Sequence, residues 1–340
     1  MPFLKLFTSL ILIVLFAACK PGKKEAAVVP FLSATEAVQL NQVVYKGNVK
    51  EAFARYAPDY EVIFVPEAVN GNYAIITKRK TVEQYALVIR GSVMEFSNEG
   101  FQNFILQDFN IFRIKTWPYT DSIKEAYISL GASIGFQNLL QLKDISSGLT
   151  IKEFIEQKIS AGASIVITGH SLGGNLAYPF AGYLKKELPA DKRNLQLITF
   201  GAPAAGNAAF VKDIEGKFPD AERYAANRDI AVVFPDIKKI GELAKITGLD
   251  SVLQLSQLSI KGLDANNLLN IAGELLRKTD VINEANEYVQ SKKHLRVLTS
   301  KEDSLLNTTA LSAEAIFARA YLFHKIDAYA ALLGGKPLDD

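Results

Sequence analysis

The stretch ITGHSLGGNLA, residues 167–177, marks a change in pattern near the middle of the chain. A β-branched run at 165–168 leads into it, as expected for a buried parallel strand. Beyond it, apolar residues recur every four positions on one helical face: Leu172, Leu176, Phe180 and Leu184. Pro189 ends that helical pattern. We therefore predict a strand that turns directly into a helix at Ser171.

This predicted turn has the spacing G-x-S-x-G, with Gly169, His170, Ser171, Leu172 and Gly173 in order. A serine at a sharp strand-to-helix turn occupies a strained backbone conformation, and glycines on either side avoid steric collisions. The positive end of the following helix points at the place where a substrate oxygen would gain charge. We predict that Ser171 is a nucleophile. The alternative is a glycine turn that carries an ordinary surface serine.

A serine nucleophile needs a histidine as its base, and the base needs an acid to orient it. The chain has only three histidines. The side chain of His170 should point away from its neighbour Ser171, so we interpret His170 as structural. His294 and His324 remain as candidates for the base. His294 lies in a strand-like run, although a base is more usual in a loop.

Strand-like and helix-like runs alternate along most of the chain. The predicted strands are 60–65, 73–77, 85–89, 165–168, 195–200, 223–226 and 294–299, and a turn at 69–72 joins the first two as a hairpin. The predicted helices are 36–56, 122–140, 151–159, the helix after Ser171 and 313–333. This alternation predicts an α/β fold with a mostly parallel central sheet flanked by helices. Residues 237–289 carry no strand pattern and are interpreted as an inserted helical segment.

The N-terminus has the features of an export signal. One positive charge precedes a short apolar run that ends at Ala18, and the run is too short to cross a bilayer comfortably. The small residues before Cys19 favour a lipoprotein signal over residues 1–18, although Phe16 stands where leucine is more usual. We predict lipidation of Cys19, a tether over 19–35 and a folded domain over 36–340. The alternatives are an uncleaved anchor or a plain signal peptide.

The composition excludes several classes of function. The 38 basic and 36 acidic residues leave a net charge of +2, and the basic residues do not form a patch typical of nucleic-acid binding. A single cysteine excludes an intrachain disulfide. The sequence has no CxxC or histidine-rich metal motif. We therefore expect no metal, no cofactor and no nucleic-acid partner.

Four blocks in order resemble the class 3 lipases, the fungal-lipase-like branch of the α/β hydrolases. The blocks are ALVIRGS at 86–92, ITGHSLGGNLA at 167–177, TFGAPAAGNAAF at 199–210 and NRDIAVVFP at 227–235. The second block is close to the family's nucleophile elbow, the turn that holds the catalytic serine. The resemblance implies the α/β-hydrolase fold and a Ser-Asp-His triad that needs no cofactor.

The resemblance also implies roles for individual residues. It places the triad acid at Asp229, which otherwise reads as a loop aspartate with a local capping role. It favours His324 over His294 as the base, because FHKIDAY at 323–329 has a tyrosine several residues after the histidine. It places the oxyanion hole at the backbone N–H groups of Leu172 and Ser92, the latter with its hydroxyl as a further donor. The alternative for Ser92 is an ordinary turn.

Two departures from the family pattern limit what the resemblance implies. The family often has a His-Gly-Phe segment before the elbow, and residues 129–136 lack that histidine. The gap between Asp229 and His324 is long, and the insertion at 237–289 accounts for it. The family's lid position falls at 93–104, whose aromatic residues fit a lid and a core equally well.

The expected function is hydrolysis of carboxylic esters in acylglycerols or related lipids by an exported protein. We expect a bacterial lipoprotein anchored at the outer membrane or cell surface. Phospholipase A1 or short-chain esterase activity is an alternative within the same chemistry. An alternative from a different class is a surface lipoprotein that binds lipid or a partner protein without catalysis.

Overall fold

The computed structural model describes residues 30–91, 113–121, 123–234, 287–300 and 322–338. The strands in these ranges are β1 (Tyr60–Phe64), β2 (Tyr73–Arg79), β3 (Gln84–Arg90), β4 (Ile114–Thr116), β5 (Tyr127–Ser129), β6 (Ser164–His170), β7 (Leu195–Phe200), β8 (Glu222–Ala226) and β9 (Leu295–Leu298). The α-helices are α1 (Ala34–Val43), α2 (Val49–Tyr56), α3 (Leu130–Gln141), α4 (Ile151–Lys158), α5 (Leu172–Glu187), α6 (Ala208–Lys217) and α7 (Ile326–Leu332). Short 3-10 helices cover Ala190–Lys192 and Ile230–Val233.

A seven-stranded sheet with the order β1-β2-β3-β6-β7-β8-β9 organises the described residues. The pairs β1–β2 and β2–β3 are antiparallel, and every pair from β3 to β9 is parallel. The strands β4 and β5 form a separate two-stranded sheet. The predicted fold class, a mostly parallel sheet flanked by helices, is confirmed.

Helices cover both faces of the sheet, and the alternation of side chains along β6 shows why. Ile165 and Ile167 pack into the apolar cluster that includes α3, α4, α5 and α6, whereas Val166 packs into the opposite cluster with α1, α2 and α7. Every residue of β6 is buried. Burial of each large aliphatic side chain contributes about 1.5–3 kcal/mol, so this run can only be stable inside a two-sided core.

The predicted hairpin is present between β1 and β2. Asn70 and Gly71 have φ of +47° and +80° between bridged residues Val69 and Asn72. Asparagine and glycine are the residues that most readily adopt positive φ at adjacent turn positions. The strand at the other edge of the sheet is also close to its prediction, because β9 covers most of 294–299.

The prediction of one helix over 36–56 is wrong, because α1 and α2 are separate. The chain turns through residues 44–48, where Gly47 is a poor helix former. The side chain of Asn48 then accepts a hydrogen bond from the N–H of Glu51 and starts α2. At the other end, a capping box between Ser33 and Glu36 starts α1 at Ala34, two residues before the predicted domain boundary.

The predicted helix over 122–140 begins too early. Tyr127–Ser129 pairs with Ile114–Thr116 as a strand, and α3 begins only at Leu130. The Ser129 hydroxyl accepts a hydrogen bond from the N–H of Ala132, which places the helix start there. Tertiary pairing with β4 therefore overrides a local sequence that is compatible with a helix.

The predicted C-terminal helix is interrupted. Residues 322–324 are helical, Lys325 is extended at φ −55° and ψ 139°, and α7 starts at Ile326.

Several predicted segments lie outside the described residues: 1–29 with Cys19, Ser92 with 93–104, most of the 237–289 insertion, and 313–321. In the part of the chain that the structure describes, no helix has the length and apolarity needed to span a bilayer.

Candidate active site

Ser171 occupies the turn between β6 and α5. Its φ of 58° and ψ of −128° are unusual for a residue with a side chain. A conformation of this kind costs about 1–3 kcal/mol and persists only where the surrounding structure imposes it. Here a buried strand and a 16-residue helix meet at one residue. The turn lifts the hydroxyl of Ser171 out of the sheet, at the edge where the parallel strands end.

The two glycines of the motif allow this turn to pack. A Cβ atom on Gly169 would lie 2.3 Å from the carbonyl carbon of Gly173, and one on Gly173 would lie 2.1 Å from the carbonyl oxygen of Ile89. Both distances are far below any permitted contact with backbone atoms. The first turn of α5 can therefore approach β3 and β6 only because both positions lack a side chain.

The side chains of Ser171, His324 and Asp229 form a continuous hydrogen-bonded chain. The Ser171 Oγ lies 2.7 Å from His324 Nε2, and His324 Nδ1 lies 2.8 Å from Asp229 Oδ2. With a proton on Nδ1, the imidazole donates to the carboxylate and offers Nε2 as an acceptor for the serine hydroxyl. All three side chains are buried. The predicted residues thus meet in an arrangement suited to removing the serine proton.

Asp229 lies in a fully enclosed site with three hydrogen bonds. It follows β8 and starts the 3-10 helix that covers 230–233, where its Oδ1 accepts from the N–H of Ala231 at 2.8 Å. Its Oδ2 accepts from the hydroxyl of Tyr329 at 2.7 Å as well as from His324. A buried carboxylate is stable only with such donors. The three donors also hold the carboxylate in one orientation towards the imidazole.

Tyr329 is a site residue to which the sequence analysis assigned no role. Its hydroxyl accepts from the N–H of Ala226 at 3.1 Å while it donates to Asp229. Burial, and then the charge of Asp229, raise the pKa of Tyr329 well above its usual value, so the phenol remains a donor. The signal in the sequence was the tyrosine five residues after His324, which was used only to choose between the histidines.

The structure brings His324 to Ser171 and holds His294 elsewhere. His294 precedes β9, where its carbonyl oxygen accepts from the N–H of Arg223 at 2.8 Å. Its N–H donates to the hydroxyl of Ser291 at 3.2 Å. Burial lowers the pKa of the His294 imidazole, which packs in the core at the edge of the sheet. The sequence motif left both His294 and His324 as candidates for the base. The tertiary structure places only His324 in contact with Ser171.

His170 points away from Ser171, as the sequence analysis expected. Its Nε2 lies 2.7 Å from the carbonyl oxygen of His324, and its Nδ1 lies 3.0 Å from the hydroxyl of Tyr45. Burial, and then the neighbouring His324, lower the pKa of His170 well below its usual value. His170 thus contacts the main chain of the residue that carries the candidate base.

Of the two predicted oxyanion donors, the structure describes one. Leu172 is the first residue of α5, where N–H groups lack partners within the helix and the helix dipole is positive. Ser92 lies outside the described residues. In the described ranges, no group of three or more His, Cys, Asp or Glu side chains is placed to hold a metal ion.

Comparison with known families gives one match. The sequence model of the Lipase (class 3) family matches residues 105–239. Over this segment the chain is similar to the class 3 lipases. The segment contains Ser171 and Asp229, whereas His324 lies beyond it. The class 3 lipase match supports a lipase-type serine hydrolase.

The comparison with solved structures finds several lipases, and the first of them supports the fold. The M37 lipase is 22% identical with a TM-score of 0.64, and the match covers 90% of this chain and 94% of that chain. A lipase from Rhizopus microsporus var. chinensis is 19% identical with a TM-score of 0.45, covering 59% of this chain and 66% of that one. Lipase II from Rhizopus niveus is 20% identical with a TM-score of 0.46, covering 61% and 73%. A search of curated protein sequences gives no match.

Proposed function

We propose that the protein is a serine carboxylester hydrolase that acts on acylglycerols or related lipid esters. The observation that carries the proposal is the hydrogen-bonded chain from Ser171 through His324 to Asp229. The candidate base contacts the candidate nucleophile, and the candidate acid contacts the base, which is the order of contacts that serine acyl transfer uses. The class 3 lipase match supports the choice of a lipid ester as substrate.

In the acylation step, the Ser171 Oγ attacks the carbonyl carbon of the ester while its proton passes to Nε2 of His324. The imidazole becomes positively charged, and the adjacent Asp229 carboxylate stabilises that charge. The bonds from Tyr329 and Ala231 keep the carboxylate in place during this change. Collapse of the tetrahedral intermediate breaks the bond to the alcohol oxygen, which takes the proton back from Nε2.

Two N–H groups would bind the negative oxygen of the tetrahedral intermediate. We assign these roles to the backbone N–H of Leu172 and to that of Ser92, with the Ser92 hydroxyl as a further donor. Loss of one donor of this kind raises the barrier by about 3–4 kcal/mol in well-studied serine hydrolases. Deacylation repeats the chemistry with water as the nucleophile, activated by His324, and releases the carboxylic acid. The mechanism uses no cofactor.

The direct test is labelling of the purified protein with a fluorophosphonate, together with assays on two substrate classes. Wild type and Ser171→Ala would be compared on p-nitrophenyl esters of increasing chain length and on emulsified triacylglycerols. We expect labelling and hydrolysis by wild type only. Activity that survives Ser171→Ala would exclude the proposed mechanism.

The substrate profile of the same assays separates the alternatives. A preference for long acyl chains and for emulsions supports a lipase, and a preference for short soluble esters supports an esterase. Release of fatty acid from the sn-1 position of phosphatidylcholine would indicate phospholipase A1. A folded wild type that is neither labelled nor active on any of the three would favour the lipid- or partner-binding alternative.

We also propose that the protein is exported and attached to a membrane through a lipid on Cys19. The support is the sequence of residues 1–19, with a charged start, a short apolar run and small residues before the cysteine. In a bacterial host, labelled palmitate should be incorporated into wild type but not into Cys19→Ser. Equal labelling of the two, or recovery of unlabelled wild type in the soluble fraction, would exclude the anchor.

A further inference from the structure

One hydrogen-bonded chain links His170 to three separate segments of the protein. The N–H of Gly91, next to the end of β3, lies 3.1 Å from the hydroxyl oxygen of Tyr45. That hydroxyl lies 3.0 Å from Nδ1 of His170, and Nε2 of His170 lies 2.7 Å from the carbonyl oxygen of His324. The chain therefore runs from the end of β3, through the residue beside the nucleophile, to the main chain of the candidate base.

The direction of each hydrogen bond follows from the groups involved. A carbonyl oxygen only accepts, so Nε2 of His170 carries a proton and donates to His324. In the neutral ring, Nδ1 then has a free lone pair and accepts from the hydroxyl of Tyr45. The backbone N–H of Gly91 donates to the oxygen of the same hydroxyl. These directions describe the neutral ring, in which one ring nitrogen donates and the other accepts.

The surroundings of His170 favour this neutral state. Its ring is buried between Tyr45, His324 and Tyr329, with ring centroids 5.9, 4.8 and 6.0 Å away. Burial disfavours a charge on the ring, and a positive charge on His324 during turnover would disfavour it further. His170 therefore keeps its hydrogen-bonding pattern while His324 changes its protonation state.

We propose that His170 and Tyr45 are positioning residues that hold the main chain of His324 and the end of β3 in place against the nucleophile turn. The inference rests on the proposed function. Asp229 accepts a hydrogen bond from the ring of His324, whereas His170 donates to the His324 carbonyl oxygen. The side-chain bond orients the imidazole, and the main-chain bond determines how far the imidazole lies from Ser171.

The expected size of the effect follows from the sensitivity of catalysis to distance. A misplacement of about 1 Å can reduce the rate about 100-fold. His170 is covalently adjacent to Ser171, so its bond to the carbonyl oxygen of His324 links the main chain beside the nucleophile to the main chain of the base. The bond from the N–H of Gly91 to Tyr45 likewise holds the chain directly after β3.

Two substitutions at one position separate a positioning role from a packing role. In His170→Asn the amide lies near the position of Nδ1 and loses the reach to the His324 carbonyl. In His170→Gln the amide N–H reaches the position of Nε2 and restores that bond. We expect kcat to fall about 10- to 100-fold in His170→Asn, with KM within about twofold of wild type, and to recover to within about fivefold in His170→Gln.

Tyr45→Phe tests the other end of the chain without changing His170. It removes the hydroxyl and keeps the ring, so we expect a kcat loss of about 3- to 30-fold with little change in KM. His294→Asn is the matched control, since it makes the same substitution at another buried histidine and should leave kcat unchanged. Each rate is divided by the number of active sites titrated with the fluorophosphonate, which removes any contribution from unfolded protein.

The outcomes distinguish this inference from the proposed function. Equal kcat per titrated site in wild type, His170→Asn and Tyr45→Phe would overturn the positioning role and leave the hydrolase intact. Equal losses in His170→Asn and His170→Gln would also overturn it, because a packing defect is not rescued by a hydrogen bond. Failure of wild type itself to hydrolyse esters or to be labelled would instead overturn the proposed function.

Discussion

The nucleophile and the base lie in two regions that are built in opposite ways. The region from β6 to α5 is a continuous stretch in which Gly169 packs on Gly173, four residues later, and Gly173 in turn packs on β3. The segment 322–338 is short and is held by partners far away in the sequence. His324 bonds to Asp229, Ser171 and His170 at separations of 95, 153 and 154 residues.

The C-terminal segment is held on its other side as well. Ile326, Tyr329 and Ala330 pack into the same apolar cluster as α1. Gln42 on α1 donates to the Asp327 carboxylate at 2.5 Å, and to the carbonyl oxygen of Lys336 at 3.1 Å. The nucleophile turn therefore lies within one stretch of sequence that packs on a single neighbouring strand, whereas the position of the base depends on several distant segments.

The largest expected effect comes from removal of the base. His324→Ala should reduce kcat/KM about 10⁴-fold or more, because the serine hydroxyl loses its proton acceptor. The measurement is hydrolysis of a p-nitrophenyl ester by purified protein. His294→Ala is the matched control, and it should retain activity per folded molecule. A larger loss in His294→Ala than in His324→Ala would reverse the assignment of the base.

The next effect acts on the local region. Gly173→Ala would force a methyl group to within 2.1 Å of the carbonyl oxygen of Ile89, so α5 must shift away from β3. We expect a loss of about 3 kcal/mol in the free energy of unfolding, together with lost activity. Gly216→Ala is the control, because a Cβ on this helical glycine meets nothing within 4 Å and should be neutral or slightly stabilising. Urea denaturation of both variants checks this, and equal stabilities would contradict the steric argument.

A smaller effect is expected from Tyr329→Phe in the C-terminal region. This change removes the donor to Asp229 and leaves the N–H of Ala226 without its acceptor. We expect a loss of about 1–3 kcal/mol in stability, and a fall of about 10-fold in kcat because the carboxylate is less well held. Tyr178→Phe removes a hydroxyl that bonds Thr199 in the core and should reduce stability only. Equal losses of kcat in the two variants would show that the Tyr329 hydroxyl does not support catalysis through Asp229.

The smallest effect is the dependence of stability on pH. Burial lowers the pKa of His170 and of His294 below 6.5, so below that pH the unfolded chain binds more protons than the folded chain. The contribution of these two histidines to stability is therefore present above pH 6.5 and is lost as the pH falls, by up to about 1.4 kcal/mol per pH unit for each histidine. Unfolding of wild type and His294→Gln at pH 7.5, 6.5 and 5.5 checks this. Parallel curves would show that His294 does not contribute.

The accuracy of the sequence predictions follows the same division between local and distant contacts. The strand leading into Ser171, the helix after it and the hairpin turn at 69–72 depend on local pattern, and the structure contains them. The helices predicted over 36–56 and 122–140 are wrong at the points where a cap or a strand partner decides the boundary. A helical pattern carries no information on whether a distant strand competes for the same residues.

The fold class and the strand-to-helix turn at Ser171 follow from the amino-acid sequence, because hydrophobic period and the contact of Gly169 with Gly173 act over a few residues. The sequence also indicated Asp229 and His324 through their resemblance to the class 3 lipases. Only the tertiary structure decided that His324 meets Ser171 while His294 packs in the core, and that Tyr329, His170 and Tyr45 surround the site. These contacts join residues that are far apart in the chain, so their distances are set by how the sheet, α1 and α7 pack together.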